Sequence, residues 1–263
     1  MKKLALFVTL TLVLLSPAIA DRAVDETRTA SADGDVSVEL IAGSVRIIGW
    51  DRNEVRVTGT IGDDVEELEV SSSSHGVSIE VVLPDDDQRD GRRLRDVGAD
   101  LEIYVPRGSS VETETVSADV SVEGVSGAVE MESVSGDVTI EGAMREAEAE
   151  TVSGDIRVTS DAPLREGEFA SISGDIYFRA ELESGGDFSF EAVSGDIELW
   201  LPANTSADFS VDTFSGRIDN EFGPQAQKDS KYLPSKSLNF TIGSGSADVE
   251  VESFSGRVSL KID

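Results

Sequence analysis

The chain has 263 residues, with 52 Asp and Glu against 22 Lys and Arg and a formal charge of −30. An acid excess on this scale repels the phosphates of nucleic acids and the anionic face of a membrane, so neither is expected as a partner. There is no cysteine, which rules out disulfides and thiolate chemistry and leaves zinc without its commonest structural ligands.

The first twenty residues read as a secretory signal peptide. Lys2 and Lys3 precede an uncharged run from Leu4 to Leu15, and Ala18-Ile19-Ala20 places small residues where a signal peptidase cuts. The run is shorter than the ~20 residues a spanning helix needs. Export is therefore expected, to the periplasm, the extracellular space or the cell surface. No membrane span is expected after cleavage, and no lipid anchor, because no Cys follows the signal.

Residues 21–106 read as an N-terminal β region continuous with the C-terminal repeats. Val36, Val38 and Leu40 alternate with polar residues, as do Val45 and Ile47, Val55 and Val57, Val77, Ile79 and Val81, and Leu101, Ile103 and Val105. A period of two marks strands with one buried face. Trp50 to Asn53 makes a turn. Val65 to Val70 suits either a short helix or a strand. A charged stretch from Asp85 to Asp100 holds Arg89, Arg92, Arg93 and Arg95, and a polar stretch from Glu221 to Ser237 holds three of the four lysines beyond the leader. Both read as surface loops, and the four arginines are candidate partner-binding residues.

Residues 107–263 carry a repeat. Val134-Ser135-Gly136-Asp137 recurs at Val152 to Asp155, Ile172 to Asp175 and Val193 to Asp196, with Val116 to Asp119, Val125 to Ala128, Phe214 to Arg217 and Phe254 to Arg257 as variants. Ser126 falls midway between Ser117 and Ser135. Otherwise the serines step by 18 to 21 residues, and then by 40 from Ser215 to Ser255, which reads as two steps. A coil of about 20 residues cannot bury its inward Val and Ile alone. Stacked coils bury a continuous core and pair every backbone group with the coil above and below. The expected fold is all-β, a single β-solenoid of coils of 18 to 21 residues. Gly at the corner permits a positive φ, and Ser and Asp can bond their own backbone there. Val152, Ile172, Val193 and Phe214 are out of phase with the inward positions and read as an apolar ladder packed in one corner.

Val105-Pro106-Arg107-Gly108 followed by tandem Val-Ser-Gly-Asp repeats, with Gly49-Trp50-Asp51 before and Gly243-Ser244-Gly245 after, resembles the bacterial putative-adhesin family with β-strand repeats. The resemblance covers nearly the whole exported chain. It implies an exported or envelope-associated protein of unknown function with a role in surface interaction, and it carries over no catalytic residue.

Few residues point to chemistry. His75, the one histidine, lies in a Ser-rich turn with no nucleophile motif beside it, so no triad is expected. Gly243-Ser244-Gly245 precedes a strand rather than a helix and fails the test for a phosphate loop. The spacing places Asp119, Asp137, Asp155, Asp175 and Asp196 in one column, followed by Arg217 and later Arg257. Carboxylates about 4.8 Å apart repel one another, and either hydrogen bonds from corner amides or a bound Ca²⁺ would offset this. Those five Asp are therefore candidate Ca²⁺ ligands, and no other cofactor is expected. The expected function is that of an exported, non-enzymatic binding or scaffold module for an envelope protein or glycan. The alternatives are a Ca²⁺-dependent surface adhesin and a polysaccharide-degrading β-helix enzyme.

Overall fold

A computed structural model describes residues 22–84, 95–228 and 234–263. The described residues form strands and connecting turns, and none is helical. The N-terminal part contributes β1 (Arg22–Thr29), β2 (Asp35–Trp50), β3 (Glu54–Ile61), β4 (Glu67–Ser72), β5 (Gly76–Val82) and β6 (Gly98–Pro106). The repeats contribute β7 (Val111–Glu123), β8 (Val129–Ser135), β9 (Val138–Gly142), β10 (Glu146–Ser153), β11 (Ile156–Ser160), β12 (Leu164–Ser173), β13 (Ile176–Arg179), β14 (Leu182–Ser194) and β15 (Ile197–Leu201). The last part supplies β16 (Ala207–Thr213), β17 (Arg217–Asn220), β18 (Gln227–Lys228), β19 (Lys236–Ile242), β20 (Asp248–Ser255) and β21 (Arg257–Ile262). The ambiguous segment around Val65 to Val70 is resolved as a strand, because β4 pairs antiparallel with β5 and buries Val70.

The strands stack as two long faces. Along the first the order is β4, β5, β2, β7, β8, β10, β12, β14, β20, β16, β19. Along the second it is β1, β3, β6, β2, β7, β9, β11, β13, β15, β21, β17. From β5 to β16 and from β6 to β17 every pairing is parallel. β2 and β7 run unbroken from one face to the other, so the whole is a single sheet coiled on itself in a solenoid-like way. Among the described residues antiparallel pairing is confined to the ends, where β1, β3, β4, β18 and β19 are added to the stack. Those strands cover three of the four ends of the two faces, where parallel coils would leave an edge open to further pairing, while β17 ends the second face in a parallel pairing.

The core lies between the faces. Alternating Val, Ile and Leu of the stacked strands point into it, joined by a cluster of Phe169, Phe178, Phe188 and Phe190 with ring centroids 5.0 to 6.1 Å apart. Gly167 makes room there: a methyl on it would stand 2.8 Å from the Phe169 ring.

One expectation about the repeat is corrected, and one is sharpened. The first concerns order. The strand pair β20 and β21, though last in the chain, sits between the β14/β15 coil and the β16/β17 coil. Arg257 therefore follows Asp196 in the column, and Arg217 stacks beyond it. The 40-residue step from Ser215 to Ser255 spans an excursion through antiparallel β19, after which the chain returns to the inner position. β2 shows the same habit at the other end, lying between β5/β6 and β7.

The second concerns the corner glycines. Among Gly136, Gly154, Gly174, Gly195, Gly216 and Gly256 only Gly136 has a positive φ, of 152°. What excludes a side chain at these positions is the neighbouring coil. A methyl on Gly154 would stand 2.0 Å from the Gly136 carbonyl oxygen, and one on Gly174 would stand 1.9 Å from that of Gly154.

Candidate functional site

The residue before each corner serine points outward. In β10, Glu150 faces solvent, Thr151 faces the core and Val152 faces solvent again, before the chain turns at Ser153-Gly154. Strand alternation alone dictates this. The inward place beside the corner is taken by small residues, Thr115, Ser133, Thr151, Ser171, Ala192, Ser253 and Thr213, which lie opposite one another in successive coils. Val116, Val134, Val152, Ile172, Val193, Phe254 and Phe214 therefore form a ladder on the outer surface, each 44 to 57 % exposed. The expected corner packing is corrected accordingly. Ile41, half-buried, continues the ladder toward the N-terminal end, and Phe254 stacks on Phe214 with centroids 5.0 Å apart. Val125 belongs to a different turn. It is fully buried, and the Ser126 amide donates to the Arg107 carbonyl oxygen, which accounts for the half-step in the repeat.

Beside the ladder runs a column of acids. Two residues before each rung, in register, stand Glu80, Glu39, Glu114, Glu132, Glu150, Ala170, Glu191, Glu252 and Asp212. A second column, including Glu112, Glu130, Glu148 and Glu168, lies two residues further back. Among the described residues no Lys or Arg forms an ion pair with any glutamate of the first column. The ion pairs lie elsewhere, on the second face and at the turns, such as Arg46 with Glu123 at 2.8 Å and Lys261 with Glu198 at 3.0 Å. Burial and, after it, crowding have a titration consequence. Burial, followed by the neighbouring charges of Glu80, Glu114 and Glu112, pushes the Glu39 carboxyl above the usual range. Burial, followed by Glu130, Glu168, Glu150 and Glu132, does the same to Glu148. Ladder and first acid column together line one continuous groove of about 960 Å³.

On the other flank of the ladder, around the corner, is the Asp column. Its carboxylates are held by the coils themselves. Asp119 Oδ1 accepts from the Asp137 amide at 3.0 Å, Asp137 from Asp155 at 2.9 Å, Asp155 from Asp175 at 2.8 Å, Asp175 from Asp196 at 2.7 Å and Asp196 from Arg257 at 2.8 Å. One oxygen of each side chain thus has an amide partner in the next coil, which offsets the like-charge stacking. Among the described residues no group of three or more His, Asp or Glu is gathered to hold a metal ion.

A model of the family Toastrack DUF4097 matches residues 18–261. The chain belongs to the Toastrack family. No curated protein matches it. Solved structures with which this Toastrack chain shares similarity include a "putative adhesin" from Bacteroides fragilis, 11 % identical over 92 % of this chain and 98 % of that one, at a TM-score of 0.47. Another "putative adhesin", from Parabacteroides distasonis, is 11 % identical over 92 % and 98 %, at 0.39. A "putative cell adhesion protein" from Clostridium sporogenes is 8 % identical over 92 % and 100 %, at 0.37.

Of the remaining sequence candidates on the Toastrack chain, Arg89, Arg92 and Arg93 lie outside the described residues. Arg95 is exposed, and its backbone amide donates to Asp64 Oδ2 at 2.7 Å. His75 sits at the β4–β5 turn, where its ring contacts the adjacent Ser74 hydroxyl at 3.1 Å. No described helix is long and apolar enough to cross a membrane. The groove itself was missed by the sequence reading, although a signal for it was there. The out-of-phase position of Val152 relative to Ala147 and Ala149, two residues after the outward Glu150, places it on the solvent face.

Proposed function

We propose that this protein is an exported, non-catalytic binding module of the cell envelope, a β-solenoid that holds its partner along the outer groove of its first face. The observation that carries this reading is the ladder. Seven large apolar side chains in an unbroken row, each about half exposed, are unusual on a chain of this acidity. Contiguous apolar patches rimmed by polar groups commonly mark interaction surfaces. The leader-like residues 1–20 support export, and the adhesin resemblance of the repeat supports surface interaction. Rigid parallel coils suit such a role, because they hold the rungs in place before binding and reduce the ordering cost of association.

The test compares the exported chain with a Val152→Ser, Ile172→Ser, Val193→Ser variant for binding to envelope preparations fixed on a sensor surface. The three positions are exposed, so the variant is expected to fold. Wild type should bind and leave envelope glycans uncleaved, as read by released reducing ends, and the variant should bind at least ~10-fold more weakly. Undiminished binding by the variant, no binding by the wild type, or glycan cleavage would each overturn the proposal. A chelator arm reports whether the Asp column contributes a cation to that binding.

A further inference from the structure

We infer that the occupant of the groove is an amphipathic polypeptide helix whose apolar stripe is bordered by Lys or Arg on both sides. This inference rests on the groove being the working surface. Charge supplies the first argument. The apolar ladder runs between two carboxylate columns. An acid stands two residues before every rung except Ile172. The Asp column around the corner follows the rungs from Val116 to Val193 and gives way to Arg257 and Arg217 at the last two. The glutamates have no cationic partner among the described residues. Like-charged side chains stacked coil on coil repel one another, and a ligand presenting cations along both edges relieves that repulsion while its apolar side covers the ladder. A second copy of this chain, at −30, would instead add acid to acid.

Spacing supplies the second argument. Successive rungs lie on hydrogen-bonded parallel strands and are therefore ~4.8 Å apart. A helix with apolar residues at i, i+3, i+7 and i+10 presents them on average every ~5.3 Å along its axis. An extended strand presents same-face side chains every ~6.7 Å. The helical repeat thus follows the rungs more closely. The seven rungs from Val116 to Phe214 span ~29 Å, which about 19 residues of helix would cover. The stacked Phe254 and Phe214 widen the apolar surface at one end, so the bulkiest apolar residues of the ligand belong there.

The probe is a peptide of about 20 residues with Leu at helical spacing and Lys elsewhere, titrated calorimetrically into the exported chain. Controls are a peptide of the same composition with Leu and Lys alternating, and one with Glu in place of Lys. The helical peptide should bind at least ~10-fold more tightly than the alternating one, and the Glu peptide should not bind. An Ile172→Ser, Val193→Ser, Phe254→Ser variant should lose at least ~10-fold for the helical peptide. Equal binding of the two Lys peptides, or unchanged binding by the variant, would reduce the effect to bulk charge attraction and overturn the inference. Self-association of the wild type that the variant abolishes would seat a second copy on the ladder, with the same consequence. If the peptides fail while the ladder variant still loses envelope binding, the partner class falls and the groove reading stands. If the variant loses neither, both fall.

Discussion

At the scale of single residues, the corner is where the fold is least tolerant. Gly154 is held against the Gly136 carbonyl oxygen by the ladder hydrogen bonds of the coils, so a side chain there forces two coils apart rather than repacking one rotamer. Gly154→Ala is expected to cost roughly 3 kcal/mol or more in denaturant unfolding, whereas Val152→Ala, which trims an exposed side chain, should stay within about 0.5 kcal/mol. Protonation acts at the same scale. Glu39 and Glu148 have carboxyls raised above their ordinary value of 4.5, so between that value and the folded one the native state binds more protons than the unfolded chain. Their contribution to stability therefore increases as pH falls through that window. Asp25 and Glu123, hydrogen-bonded to Arg56 and Arg46, are lowered; their stabilisation is present above 3.8 and 4.5 and is lost as pH falls through the folded values. The melting midpoint should thus peak on the acid side of neutrality and then decline. Glu148→Gln should raise the midpoint at about pH 7 and flatten the rising limb, and an unchanged profile would remove Glu148 as a source of strain.

At the scale of elements, the ends differ from the middle. Interior coils are interchangeable parallel units, while the antiparallel strands β1, β3, β4 and β19 finish the stack. β19 lies along the whole of β16, with Phe240 stacked on Phe209 at 4.8 Å and Leu238 buried. Leu238→Asp places a charge in that contact and should release β19, leaving the backbone groups of β16 free to pair with another molecule. Sedimentation velocity is expected to show concentration-dependent association while far-UV circular dichroism keeps its strand signature. A variant that stays monomeric would mean that the edge is protected by something other than β19.

For the whole molecule, charge sets the conditions under which it holds together. A net charge of −30 opposes compaction, and the acidic columns concentrate that repulsion on one face. Added NaCl should raise the melting midpoint progressively as the screening length shortens from ~10 Å at 0.1 M to ~3 Å at 1 M. With the Asp column tied to amides, CaCl₂ at matched ionic strength is expected to do no more than NaCl. A further rise at micromolar to millimolar CaCl₂ would put an ion in the column. High salt should also weaken a cationic ligand in the groove, so stability and binding are expected to move in opposite directions.

The sequence by itself determined the strands, through period-two alternation, and the stacking of coils, through near-equal steps between identical turns. Equal steps also aligned Asp119 to Asp196, because residues at the same place in successive coils must fall in one column. Tertiary structure decided three further things. It inserted β20 and β21 beneath β16 and β17, a choice that spacing leaves open because either parallel edge offers the returning chain the same row of hydrogen-bonding groups. It gave the Asp carboxylates their amide partners, since proximity along a column does not specify which oxygen meets which N–H. It also left the ladder uncovered. Val152 and its neighbours are apolar in sequence, like any core residue, and only the absence of a described layer over the first face makes them a surface on which a partner can act.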